Sequence, residues 1–197
     1  MRRLFIILIL TYIATIAYSQ QAPKPDDMRG NTNCVYRHKY SSKQRLNFYP
    51  FSKFETVKLV SFRYHLDDCP IKSESVVADS LIELKILTKP EIYKLTDVLY
   101  NNFFKRKPNY GTTSQCFWPR NAILFYDTVG NLKESILICF QCDRYSLSSN
   151  DIEYGDECDQ KMDLLRSFFL TAGISFGTSN NSTFYPGERY KDEGLDK

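Results

Sequence analysis

Between Cys116 and Cys142 the chain reads "CFWPRNAILFYDTVGNLKESILICFQC", a short stretch that carries half of its six cysteines. Two β-rich runs, "NAILFYD" and "LKESILICF", flank "TVGN", where Gly130 can take the positive φ of a tight reversal. The pattern predicts a β-hairpin. A three-residue turn with Gly130 as the bulge sets Cys116 opposite Cys142, whereas a two-residue turn sets Arg120 opposite Cys139. Either register brings Cys116 close to the Cys139 and Cys142 pair, near enough for a bridge or a shared site. Asp127 is placed to start the turn by accepting from the backbone N–H groups ahead of it.

What those thiols become depends on the compartment. Arg2 and Arg3 precede an apolar run from Leu4 to Ala17, and Ala17-Tyr18-Ser19 supplies small residues at the two positions a signal peptidase reads. The run is shorter than the roughly 20 residues of a membrane-spanning helix. Residues 1–19 therefore read as a signal peptide. The mature chain is expected to start near Gln20, to hold no membrane span, and to be exported to the periplasm or secreted. Two of the 26 basic residues leave with that leader, so 24 face 23 acidic ones and the net charge falls to +1. That balance points to no nucleic-acid partner. Cys34, Cys69, Cys116, Cys139, Cys142 and Cys158 all lie in the exported part, where an even count favours disulfides without choosing the pairing. The mature length suffices for a core, so bridges would reinforce it.

Composition divides the rest of the chain. Residues 20–54 are polar and read as a flexible lead. Within it "YRHKYSSKQRLNFYPFSKF" interleaves bases and aromatics, as single-strand binders do. With charge near zero, the simpler reading lays those aromatics on the domain. Residues 55–177 read as one domain, and 178–197 as a mobile polar tail. "ETVKLVSFRYH" reads as a strand. Ile82, Leu84 and Ile86 alternate with Glu83 and Lys85, which predicts a strand with its apolar face buried. "TKPEIYKLTDVLYNNFF" switches to helical period, with Ile92, Leu95, Leu99 and Phe103 on one face, a Thr88/Glu91 capping box and Pro90 in the first turn. After the hairpin, "DRYSLSSNDIEYGDE" reads as a polar loop. A second helix follows, capped by Asp156, lined inside by Met162, Leu165, Phe168, Phe169 and Ala172, and ended by Gly173. "ISF" can add a last short strand. The class is α+β: an antiparallel sheet with two helices on one face, in an order compatible with a ferredoxin-like split βαβ.

The hairpin pattern "C..PRNAI.FYD..G.....I.ICF.C", carried by Cys116, Pro119, Arg120, Asn121, Ala122, Ile123, Phe125, Tyr126, Asp127, Gly130, Ile136, Ile138, Cys139, Phe140 and Cys142, resembles exported proteins of Bacteroidetes and related bacteria. The likeness spans about residues 57–176. It implies an exported bacterial domain. That family has no established activity, so the resemblance supplies no catalytic residue.

Three chemistries compete for the cysteines. A reactive CxxC sits at a helix N-terminus, where the dipole lowers the thiol pKa. Cys139 and Cys142 instead end a strand, which favours a structural bridge from one of them to Cys116 over thiol–disulfide exchange. A zinc-binding module could use Cys116, Cys139 and Cys142 with Cys158, His65 or His38, but one CxxC is only half of a zinc-ribbon signature. Hydrolytic motifs and phosphate-cradling glycine loops are missing from the sequence, and "HLDD" reads as a solvated turn. No cofactor and no catalytic set are expected. Trp118, Arg120 and Asp127 are the candidate binding residues: the Arg120 fork can read an anion, or stack on Trp118 and bond nearby carbonyls. The sequence thus favours a disulfide-stabilised binding or structural module, whose partner is a protein or a cell-envelope component.

Overall fold

The computed structural model describes residues 30–64, 69–72, 75–108 and 116–179. The expected signal peptide, residues 20–29 of the expected lead, His65 with its two neighbouring aspartates and the tail from 180 lie outside them. In chain order the elements are β1 (Asn31–Tyr36), α1 (Ser42–Arg45), β2 (Thr56–Phe62), β3 (Ile71–Lys72), β4 (Ser75–Val76), β5 (Leu81–Ile86), α2 (Lys89–Tyr100), β6 (Asn102–Arg106), β7 (Asn121–Tyr126), β8 (Leu132–Cys139), β9 (Arg144–Leu147) and α3 (Lys161–Thr171).

The fold is α+β. Five strands form one sheet in the order β5-β2-β7-β8-β9, every neighbouring pair antiparallel. Because β5 and β7 both run antiparallel to β2, they are parallel to each other, and α2 lies between them in the chain. One split βαβ unit is therefore present. A ferredoxin-like sandwich has a second, and here it does not form, because "ISF" is no strand. The N–H groups of Ser175 and Phe176 go to the Glu83 carboxylate, and the Phe176 carbonyl accepts from Asn121 Nδ2. These bonds occupy the backbone groups that a ladder would need.

β2 and β7 are apolar on both faces, so the sheet needs two covers. On the first face Val57, Leu59, Ile123, Phe125, Ile136 and Ile138 meet Leu95 and Leu99 of α2 and Leu165, Phe168 and Phe169 of α3. Both helices thus lie on one side. On the second face Val60, Phe62, Ala122 and Leu124 meet Ile71 and Val76 of the β3–β4 hairpin. The start of α2 is as the sequence predicts. Glu91 accepts from the backbone N–H and the hydroxyl of Thr88, both at 2.7 Å, and the N–H bond first of all holds its carboxyl down to about 2.

Several sequence expectations need correction. The lead is not a flexible 20–54 segment: from Gly30 it holds β1 and α1, and Tyr40, Phe48, Tyr49, Phe51 and Phe54 pack on the core. Its aromatics do lie on the domain. Phe103 belongs to β6, paired with β1, because the helix stops at Asn101, whose side chain bonds back to Asp97 and Tyr40. Residues 144–147 of the expected loop form edge strand β9. Asp156 does not cap α3; it accepts from the N–H of Phe104, and Gln160 is the cap residue. The Leu84 and Ile86 face of β5 is exposed.

Arg45 explains why a polar segment orders. It is 7% exposed and donates to the carbonyls of Tyr40 (2.7 Å) and Tyr93 (3.2 Å) and to Thr96 Oγ1, with Asp97 at 3.0 Å. Removing the guanidinium takes a charged donor from two carbonyls and a threonine hydroxyl in a largely buried setting, while Asp97 keeps the Tyr36 hydroxyl and the Asn101 amide as donors. Arg45→Ala is expected to lower unfolding free energy by about 3 kcal/mol in urea titration. A loss below about 1 kcal/mol would show that the clamp contributes little.

Candidate functional site

The hairpin turn joins both registers that the sequence allows. Around Gly130 (φ 89°) the loop is three residues: Asp127 N–H donates to Asn131 O, Gly130 N–H to Asp127 O, and Tyr126 faces Leu132. Asp127 Oδ1 accepts from the N–H groups of Val129 and Asn131, the role expected of it. One step further, Lys133 is an extra residue on β8, so Phe125 faces Glu134 and Asn121 faces Ile138. This bulge directs Arg120 toward Cys139, and Cys116 reaches Cys142 from the segment before β7.

Two disulfides result. Cys116 bonds Cys142 with a Cα separation of 5.9 Å, and Cys34 bonds Cys158 at 4.9 Å. They close loops of 26 and 124 residues, each worth roughly 3–5 kcal/mol in the chain-entropy picture. Cys34–Cys158 fixes β1 to the start of α3, beside bonds from Asp159 N–H to Thr32 O and from Cys34 N–H to Gln160 Oε1. The expectation that all six cysteines bridge fails at Cys139, which keeps its thiol. Strand β8 turns it into the interior, 1% exposed, while the bulge and turn carry Cys142 outward to Cys116. Cys69 takes part in neither of these two bridges and sits half-buried beside the second-face cluster.

Burial pushes the Cys139 thiol up, against the N–H groups of Trp118, Cys142 and Gln141 and the charge of Arg120, which favour the thiolate. Cys116, Trp118, Arg120, Cys139 and Cys142 are thus brought together at one end of the hairpin. Asp127 lies at the other end, the length of a strand away. Arg120 and Trp118 each meet an aromatic ring. The Arg120 guanidinium lies 6.0 Å from the Phe176 ring, and Trp118 packs edge-on to Tyr64 at 5.5 Å. Cys116, Cys142 and Cys158 are held as disulfide sulfurs, which removes them from the proposed zinc set. Among the described residues no cluster of three His, Cys, Asp or Glu is arranged for a metal ion.

The sequence did not reveal a cavity of about 600 Å³ lined by both bridges, through Cys142 and Cys158. Its other walls include Arg144, Tyr145, Tyr154, Glu157 and Lys161. Tyr145 and Tyr154 stack with centroids 3.7 Å apart, and the Tyr145 hydroxyl donates to Glu157. Lys161, 2% exposed, donates to the carbonyl of Leu99 in the last turn of α2 at 2.5 Å, a favourable place for a cation. Gly155 (φ 79°) crosses so close that a Cβ there would collide with that same carbonyl oxygen. Burial brings the Lys161 amine down to about 8, with Asp156 and Glu157 opposing. The one sequence signal was Lys161 itself, a lysine four residues before Leu165 on the apolar stripe.

Among the described residues no helix is long and apolar enough to cross a membrane. Comparison with protein-family models, curated proteins and solved structures finds no match.

Two measurements check these assignments. Iodoacetamide at neutral pH is expected to leave Cys139 unmodified until denaturant is added, as read by peptide mass spectrometry; rapid native labelling would contradict its burial. Lys161 has a folded pKa of about 8, below its unfolded value of about 10.4. Between those values the unfolded chain binds the extra proton, so stability from this group rises with pH there. Urea titrations are expected to show wild type gaining on Lys161→Met from pH 8 upward. A constant difference between the two would contradict it.

Proposed function

We propose that the chain is an exported, disulfide-reinforced domain that acts by binding in the periplasm or cell envelope. One observation carries this reading: two sequence-remote cysteine pairs are bridged and flank a single concave site. Long-range bridges persist in oxidising compartments. The leader-like N-terminus and the resemblance to exported bacterial proteins support the same compartment. A concave site with stacked rings and a few convergent polar groups suits a hydrophilic ligand, a cell-envelope component or a segment of a protein partner. In cell fractionation the chain is expected in the periplasm or medium with Gln20 as its first residue. Mature protein on a support is expected to retain a periplasmic component, and Glu157→Gln to retain less. A cytosolic chain still starting at Met1, or retention indifferent to Glu157, would count against the reading.

A thiol–disulfide oxidoreductase is the second reading, favoured by Cys139 retaining a thiol three residues before bridged Cys142. Binding is preferred because that thiol is buried, its pKa is raised, and it ends a strand.

A further inference from the structure

Strand β5 is one edge of the five-stranded sheet, with β2 on one side and no strand among the described residues on the other. Its sequence alternates as a half-buried strand does, yet the apolar face is the open one. Leu84 is 51% and Ile86 56% exposed. Glu83 and Lys85 turn the other way, toward the helices, where they meet Ser61, Ser175 and Glu91. Single exposed apolar residues are ordinary on a protein surface. Two in alternation on an unpaired edge form a template for another strand.

We propose that β5 pairs with β5 of a second copy of this chain, antiparallel about a two-fold axis at Leu84, joining two sheets into one of ten strands. The residue order selects that partner, because "IELKI" is self-complementary about Leu84. Antiparallel pairing sets Leu84 against Leu84 of the second copy, Glu83 against Lys85 in both directions, and Ile82 against Ile86. Oppositely charged residues facing across a ladder stabilise it and like charges oppose it. Centring the pair on Glu83 or on Lys85 would put like charges face to face, and a one-residue slip would set apolar residues against charged ones. The register is therefore specified. A bulge at Ile82, between the Ser61–Glu83 and Phe62–Leu81 pairs, interrupts the ladder on the β2 side, so the regular pairing about Leu84 runs over Glu83–Lys85 and the Ile82–Ile86 contacts lie at its two ends. The two-fold arrangement uses one patch twice and closes, which yields a dimer and no fibre. This inference stands independently of the binding role proposed above.

Sedimentation equilibrium of the mature chain from micromolar to millimolar concentration is expected to show a reversible monomer–dimer equilibrium. Leu84→Lys, an exposed change that leaves the circular dichroism spectrum unaltered, is expected to weaken it by about tenfold or more. Leu84→Cys is expected to cross-link two copies under mild oxidation, because facing residues on an antiparallel ladder lie within disulfide reach. Val129→Cys, at a hairpin tip 79% exposed, is not. Three results would overturn the proposal: a monomer at every concentration with no Leu84→Cys cross-link, a dimer indifferent to Leu84→Lys, or a monomer that instead pairs β5 with the strand of another protein.

Discussion

A sheet that is apolar on both faces governs this structure. β2 and β7 run through its centre with Val57, Leu59, Ile123 and Phe125 on one side and Val60, Phe62, Ala122 and Leu124 on the other. No single layer can satisfy such a sheet, and the rest of the chain is arranged to supply two covers. The first consists of α2, α3 and the aromatics of residues 40–54. The second, a small hairpin of β3 and β4, is much narrower. Its reach ends short of Leu84 and Ile86, which is why the open apolar stripe falls on β5.

Covers that lie far from the sheet in sequence need fastening, and the polar contacts are concentrated there. Arg45 binds the N-terminal segment to α2 through two carbonyls, Thr96 and Asp97. Glu134, buried at 8%, gathers the hydroxyls of Tyr49, Ser148 and Ser149 and so ties that segment to β8 and the loop after β9. Lys161 holds the start of α3 to the end of α2. The two bridges act at the same seams, one from β1 to the approach of α3 and one across the end of the hairpin. Lys161 and one sulfur of each bridge line the cavity, so these three fastenings also shape a concave site.

Local signals in the sequence predicted local structure well. The capping box at Thr88 and Glu91, the turn at Asp127 and Gly130 and the inner face of α3 were all legible, because each depends on residues within a few positions of one another. What could not be read depends on partners far away. β1 and β9 have polar compositions and become strands only beside β6 and β8. Phe103 continues the helical period of α2 but is diverted into β6 by the carbonyls and side chains around Asn101. At the cysteines the neighbourhood was legible and the division of labour was not. A bulge at Lys133 decides that Cys142 faces outward to Cys116 while Cys139 turns in. The alternation on β5 was read correctly as a strand; its apolar face is exposed because no described element of the same chain covers it.

The CxxC thus holds two unlike cysteines, an outer bridge sulfur at Cys142 and an inner packed thiol at Cys139. Mass mapping of cysteine linkages in the native exported protein, digested at acid pH to prevent exchange, tests this most directly. This arrangement predicts peptides joining Cys34 to Cys158 and Cys116 to Cys142, with Cys139 recovered as a thiol. A Cys139–Cys142 bridge as the main species would contradict it.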